Sequence, residues 1–275
     1  MYTFKPIKRD IEICSFVAAM DETRPKGFDF EGEMHDFWEL VYIKSGCVIA
    51  TADDRVYEVT TGQLLFHKPL EFHRIKSAYD STPRLFNISF TAKGERMKNF
   101  ENKFFELTDN QQARYEEINK LVREIVRLYN HSLTKTEQYT ALSSKAAIML
   151  ESLLLEIDEN SQEISKKSTE HEKQFADIIS VLNQNCEKDL SVDEIASLCN
   201  MSTSNLKKIF NMYSDIGVGK YYLKLKLRRA CEMISNGVST AEIAFNLSFS
   251  SVAYFNTVFK REMGITPAQY RKVRR

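Results

Sequence analysis

The stretch Ser191-Val-Asp-Glu194-Ile195-Ala196 returns 48 residues later as Ser239-Thr-Ala-Glu242-Ile243-Ala244, and this repeat constrains the fold more than any other feature of the chain. Both copies are Ser-x-x-Glu capping boxes, in which the serine accepts the backbone N–H of the third helical residue and the glutamate reaches back to the cap. A short helix is predicted to start at each. Leu206, Ile209, Phe210 and Tyr221 then correspond to Phe255, Val258, Phe259 and Tyr270 at an offset of 49, so the second copy carries one extra residue in its turn or early second helix. Each copy thus spells a capped short helix, a turn (Cys199-Asn200-Met201-Ser202, then Leu247-Ser248-Phe249-Ser250) and a second helix, which is the helix-turn-helix pattern.

In such a unit the second helix lies in the DNA major groove and presents its outward positions to base edges. With Leu206, Ile209 and Phe210 facing a core, Ser204, Asn205, Lys207 and Lys208 turn outward. In the second copy Phe255, Val258 and Phe259 point inward, leaving Ser251, Val252, Ala253, Tyr254, Asn256, Thr257 and Lys260 outside. A polar-faced helix bundle is the bland alternative. Charge argues against it: the chain is neutral overall, yet residues 171–275 hold 15 basic and 10 acidic side chains, net +5, against 23 and 28, net −5, in residues 1–170. One half is equipped to meet phosphates. The joining helix, about Val218 to Ser235, adds Lys224, Lys226, Arg228 and Arg229, which suit phosphate contacts or a solvated face.

At 275 residues the chain suffices for two domains. Residues 38–90 read as short strands, Trp38–Ile43, Cys47–Ala52, Val56–Thr60, Gln63–Phe66 and Leu85–Phe90, set apart by turn residues as in a small barrel or sandwich. From Tyr115 to Tyr129 and from Ala141 to Ile157, apolar residues recur at three- and four-residue steps, predicting two amphipathic, antiparallel helices. The polar run 158–170 has almost nothing to bury and reads as a linker or frayed helix end. The expected fold class is α+β in two domains. A cupin-like barrel over 1–106 and helices over 107–160, suited to dimerisation, are followed by a linker over 161–170 and an all-α domain with two helix-turn-helix motifs over 171–275.

Five scattered cysteines (Cys14, Cys47, Cys186, Cys199, Cys231) read as buried free thiols of a reducing cytosol, and no apolar stretch is long enough for a membrane span. A cytoplasmic location is expected. The chain shows no clustered zinc-cysteine site of the kind methyl-transferring repair regulators need, no Ser/His/Asp arrangement and no phosphate-loop spacing. It is not expected to be an enzyme.

Ile243-Ala244, Phe249-Ser250-Ser251, Tyr254-Phe255, Phe259-Lys260-Arg261, Gly264-Ile265-Thr266-Pro267 and Tyr270-Arg271 together resemble the signature of the AraC/XylS family of bacterial transcription regulators. The resemblance covers the C-terminal hundred residues. It implies two helix-turn-helix units on a connecting helix, entering successive major grooves on one face of double-stranded DNA. Carried over by position, the base-facing residues are Ser204, Lys207 and Lys208, then Val252, Ala253, Tyr254 and Thr257. Asn200, Ser248 and Asp215 stand where the family has glycine, at positions that call for a left-handed backbone.

The strand-rich segment, with His35-Asp-Phe-Trp-Glu39, Gly62-Gln and Lys68-Pro69-x-x-Phe72-His73, looks like the cupin-type effector domain that many members of that family carry. Cupin enzymes hold a metal with His-x-His, a glutamate and a later histidine. Here Glu33 replaces the first histidine, followed by His35, Glu39 and His73. Two histidines and two carboxylates suit a divalent ion, but relatives with this architecture use the barrel for an organic ligand, so the favoured reading has no metal and no cofactor. A pocket lined by His35, Phe37, Trp38, Glu39, Tyr42 and His73 suits a sugar or similar metabolite. The expectation is a ligand-responsive regulator, an activator of carbohydrate or small-metabolite genes, acting as a homodimer through the 112–130 helix and contacting RNA polymerase. The alternative is a metal-dependent cupin enzyme fused to a DNA-binding domain.

Overall fold

The computed structural model describes residues 5–6, 8–160 and 169–273. Side-chain alternation along β3 (Trp38–Ser45) organises the N-terminal part, because its two faces belong to different cores. Trp38, Leu40 and Tyr42 join one apolar cluster with the helices, while Val41 and Ile43 join another between two sheets. Strand β3 lies in a five-stranded sheet between β8 (Arg84–Lys93) and β6 (Gln63–His67), with β1 (Glu12–Thr23) outside β8 and β9 (Phe104–Glu106) outside β6. A second sheet runs β2 (Glu33–Met34), β7 (Phe72–Ser77), β4 (Cys47–Ala52) and β5 (Arg55–Thr60). The two sheets face each other and do not close into one continuous barrel, so the β-rich architecture is a two-sheet variant of the expected barrel.

Two antiparallel helices cover the outer face of the larger sheet. Helix α1 (Asp109–Asn130) opens with a capping box formed by Thr108 and Gln111, and its stripe Tyr115, Ile118, Val122, Ile125 and Leu128 is buried. Helix α2 (Glu137–Asn160) runs back alongside it, with Arg114 near the start of α1 reaching Glu156 near the end of α2. The α1 stripe that suggested dimerisation is therefore covered by its own domain. Exposed apolar residues remain on the outer surface, Tyr129 on α1 and Ile148 on α2.

Asp158 and Glu159 extend α2; of the expected linker over 161–170, residues 161–168 lie outside the described residues and its last two open the next helix. Chain description resumes at Thr169, which caps α3 (Glu170–Gln184) through a reciprocal box with Glu172. The first repeat is α4 (Val192–Leu198) and α5 (Thr203–Tyr213), the connecting helix is α6 (Val218–Ser235), and the second repeat is α7 (Thr240–Asn246) and α8 (Val252–Met263), followed by α9 (Pro267–Val273). Phe175, Phe210, Tyr221, Phe255 and Phe259 are fully buried in one shared core. That core also takes in Met34 and Phe72 from the smaller sheet, so the β-rich and helical parts pack directly on one another.

Among the described residues no helix is long and apolar enough to cross a membrane. The five cysteines are free thiols, but only Cys231 is buried and Cys14 is exposed, which corrects the expectation that all are interior.

Candidate functional site

Ser191 and Glu194 form the complete capping box, with the Glu194 N–H donating to Ser191 Oγ at 3.3 Å and the Ser191 N–H to Glu194 Oε2 at 2.8 Å. At the second copy the serine half forms, Glu242 N–H donating to Ser239 Oγ at 3.2 Å, and no reciprocal bond is found among the described residues. Both turns take the left-handed backbone that glycine usually supplies, Asn200 at φ 54° and Ser248 at φ 52°. Ser248 is held there by its hydroxyl, which donates to the Glu187 carbonyl at 2.7 Å. Asp215 does not adopt positive φ. α5 ends on an extended Ser214, and Asp215 instead pairs with Arg74 at 2.6 Å. In the second copy Gly264 closes α8 at φ 76°.

Leu206, Ile209 and Phe210 are buried on α5, leaving Ser204, Asn205, Lys207 and Lys208 exposed. On α8 the buried residues are Phe255, Val258 and Phe259, with Val252, Ala253, Tyr254, Asn256, Thr257 and Lys260 exposed beside the cap Ser251. Ser251 Oγ accepts the Tyr254 N–H at 3.1 Å and the Thr257 hydroxyl donates to the Ala253 carbonyl at 3.0 Å, so both hydroxyls have an internal partner.

Of the four basic residues singled out on α6, Lys224, Lys226 and Arg228 are engaged within the protein while Arg229 stays exposed, which corrects the phosphate-contact expectation for the first three. Buried Lys226 donates to the Leu247 carbonyl at 2.9 Å beside the Tyr222 and Phe249 rings. Arg228 pairs with Asp53 at 2.6 Å and donates to Asn183. Lys224 lies over Phe72 and near Glu262, and Arg229 pairs with Glu232.

A second site lies between the sheets, where Glu39 and His73 reach a cavity of about 110 Å³ also lined by Phe28, Phe30, Glu33 and Asn87. Strand parity puts Glu39 there and turns its neighbours away. Trp38 and Tyr42 face the helix-covered core, where Tyr42 donates to Gln112 at 2.8 Å. His35 and Phe37 stack on each other at 3.8 Å and line a different groove, against Met263, Ile265 and Tyr270 of the helical part. Of the six expected pocket residues, Glu39 and His73 border the cavity.

Glu39 is the hub. Its Oε1 accepts from Asn87 at 2.6 Å and from Ser89 at 3.5 Å, and its Oε2 lies 3.1 Å from His73 Nε2 and 3.7 Å from His35 Nε2. Burial pushes the Glu39 carboxyl up, but the neighbouring His35 and His73 outweigh it and hold the group well below the usual carboxylate range. Burial acts downward on His73, and Glu39 more than offsets it, raising the imidazole. Behind this pair His67 Nδ1 sits 2.7 Å from Glu71 Oε2, both side chains fully buried. Burial and the nearby Asp53 raise the Glu71 carboxyl to about 8, while burial lowers His67 well below the ordinary histidine range. Neither residue stood out in the sequence. A His-x-x-x-Glu pair at strand and loop carries no pattern that marks it as buried. Glu33, His35, Glu39 and His73 offer ligand atoms within 4.8 Å of one another, and His67, Glu71 and His73 do likewise.

A family model described as an AraC-like ligand binding domain matches residues 21–157, and one described as a helix-turn-helix domain matches residues 188–273. The chain is 24% identical over 242 residues to the HTH-type transcriptional activator RhaR of Mannheimia succiniciproducens, covering 86% of this chain and 85% of that protein. It is 22% identical to the HTH-type transcriptional activator RhaS of Escherichia coli O81, covering 92% and 91%. Among solved structures, ToxT from Vibrio cholerae O395 aligns over 96% of this chain and 98% of its own, with 14% identity and a TM-score of 0.40. With both halves matched in order, an effector domain followed by two helix-turn-helix units, the chain belongs to the AraC family of transcriptional regulators.

Proposed function

We propose that the chain is a transcriptional activator controlled by a small polar metabolite that enters between the two sheets. The carrying observation is the cavity at Glu39, His73 and Asn87, where hydrogen-bonding groups meet the aromatic side chains of Phe28 and Phe30. That combination suits a sugar or a hydroxy acid, whose hydroxyls need fixed partners and whose ring or chain packs on aromatic carbon. Relatives whose names describe them as transcriptional activators support the sign of regulation.

On DNA, α5 and α8 enter successive major grooves. Lys207 and Lys208 supply hydrogen bonds from the first unit, and Val252, Ala253, Tyr254 and Thr257 offer mainly small or apolar groups, suited to thymine methyls, from the second. Asn205, Asn256 and Lys260 flank these residues, and Ser204 sits at the start of α5. The division between the domains falls in the 161–170 stretch, and the protein acts in the cytoplasm. A homodimer contact through the 112–130 helix uses its outer face, near Tyr129 and the neighbouring Ile148 of α2, since the inner stripe is covered. Bound at a promoter, the dimer contacts RNA polymerase.

The test pairs calorimetry of the full chain against a panel of sugars and hydroxy acids with DNA-binding measurements on operator fragments recovered by genome-wide mapping. A binder whose heat is lost in Asn87→Ala, and which changes operator affinity, supports the proposal. No heat from any compound counts against it. Lys208→Ala and Thr257→Ala should each weaken specific binding by about 1–3 kcal/mol with nonspecific binding little changed.

A further inference from the structure

The side chains at the Glu39 hub are held as metal ligands are held, each by the atom that faces away from the others. His35 Nδ1 lies 3.1 Å from the Phe37 carbonyl and His73 Nδ1 lies 3.2 Å from the Glu71 carbonyl. A carbonyl can only accept, so both Nδ1 atoms carry hydrogen and both Nε2 atoms are the ones turned inward. Glu39 repeats the arrangement, with Oε1 tied to Asn87 and Ser89 and Oε2 directed at the two imidazoles. His35 Nε2 is buried and has no hydrogen-bond partner among the described residues. Glu33 closes the group from the rim, its carboxylate 3.8 Å from His73 Nε2 and its side chain half exposed.

Outer hydrogen bonds that fix the tautomer and aim of each ligand accompany most protein metal sites. The spacing fits as well. Ligand atoms about 2.0–2.2 Å from a tetrahedral zinc lie about 3.4 Å apart; three of the separations here are 3.1, 3.7 and 3.8 Å, and all lie within 4.8 Å. Closing onto an ion takes side-chain movements of only ~1 Å at these separations. Two imidazoles and two carboxylates match a divalent first-row transition cation better than calcium or magnesium, which favour all-oxygen shells.

The same strands connect this cluster to the helical domain. Glu33 pairs in register with His73, and Met34 with Phe72. Glu33, His35 and His73 turn toward the cluster. The residues between them turn outward: Met34 and Phe72 enter the core of the helical domain, Phe72 meets Tyr221 ring to ring at 5.1 Å, Tyr270 bonds Asp36, and Arg74 pairs with Asp215. Ligands and docking residues thus alternate along residues 33–36 and 72–74.

We propose that Glu33, His35, Glu39 and His73 bind one divalent transition-metal cation, and that its binding fixes the strand pair that docks the DNA-binding domain. The site borders the cavity assigned above to the metabolite, but it does not depend on that assignment, and the test uses neither metabolite nor DNA.

Full-length protein freed of metal with a chelator is titrated with zinc, manganese and calcium separately, by calorimetry and by elemental analysis after desalting. Zinc is expected to bind at one equivalent and calcium to leave no heat. His35→Ala and His73→Ala should each weaken zinc binding at least tenfold, and Glu33→Gln, a rim change that leaves the core untouched, should weaken it severalfold. Hydrogen exchange then reads the coupling: zinc should slow exchange of the α6 and α9 amides in the wild type and leave His73→Ala unchanged. No retained zinc, or uptake indifferent to all three substitutions, overturns the site. Stoichiometric zinc that leaves α6 and α9 exchange unaltered overturns the coupling.

Discussion

Glu71 has no exposed surface, yet its carboxyl is raised to about 8 and shares a hydrogen bond with a buried, neutral His67. Burial disfavours the anion, and the neighbouring Asp53 adds to it. The folded protein therefore holds a proton on Glu71 that the unfolded chain releases near the ordinary carboxylic-acid range. The folded pKa is the higher one, so this stability is fully present below the unfolded value and is lost as pH rises through about 8. Glu71→Gln stays neutral throughout. In chelator-treated protein the melting temperature of the wild type relative to Glu71→Gln should fall between pH 6 and 9, by at least roughly 2–4 °C, the shift that about 1 kcal/mol gives a domain of this size. A difference that does not vary with pH would show that Glu71 is ionised in the fold. At this scale the sequence exposed residue types but not their facing. Glu39 and His73 were recognisable from their spacing, whereas Trp38 and Tyr42 occupy the opposite parity of the same strand, and His67 and Glu71 become visible only once the loop between β6 and β7 is folded inward.

The helical elements were the most legible, because caps and three-to-four periodicity are local signals that tertiary packing did not override. Both repeats, both turns and the inward faces of α5 and α8 follow directly from the residues that predict them. The strands were less so. β1 is broken in register between Ile13 and Ser15 and between Phe16 and Ala18, which erases alternation, and β7 carries His73, Arg74 and Lys76 among its apolar residues. The two caps differ in a way that stability can detect. The Ser191 hydroxyl makes two bonds, accepting the Glu194 N–H and donating to Glu194 Oε2 at 2.7 Å, whereas among the described residues the Ser239 hydroxyl makes one. Ser191→Ala should cost about 1–2 kcal/mol in urea unfolding followed by far-ultraviolet circular dichroism, and Ser239→Ala about 0.5–1 kcal/mol. Equal losses would mean that the Ser191 hydroxyl's bond to the Glu194 carboxylate adds nothing. Ser248→Ala keeps the left-handed backbone and removes the bond to Glu187, with an expected loss of about 1 kcal/mol measured the same way.

Across the whole molecule, net charge and the placement of charge are separate matters. The net +5 of residues 171–275 pointed correctly to a DNA-binding half, but much of the basic stripe of α6 faces inward or toward the β-rich domain. No periodicity could show this, since Arg228 and Asp53 stand 175 residues apart. Their contact concentrates several bonds: Asp53 Oδ1 accepts the Phe72 N–H at 3.2 Å, Oδ2 takes Arg228 at 2.6 Å, and Arg228 extends to the Leu70 carbonyl. Asp53 thus ties the start of β7 to the connecting helix between the two DNA-reading units. Removing either charge leaves the other poorly solvated, a loss that the double substitution avoids. Asp53→Ala and Arg228→Ala should each destabilise the full chain, and a double-mutant cycle should return a coupling of about 1–3 kcal/mol. The same variants should speed hydrogen exchange in α6, where a purely local surface pair would alter only its immediate neighbours. Additive single effects with unchanged α6 exchange would mean that the domains do not meet at this face in solution, and that a signal from the β-rich domain must reach the DNA-binding units by another route.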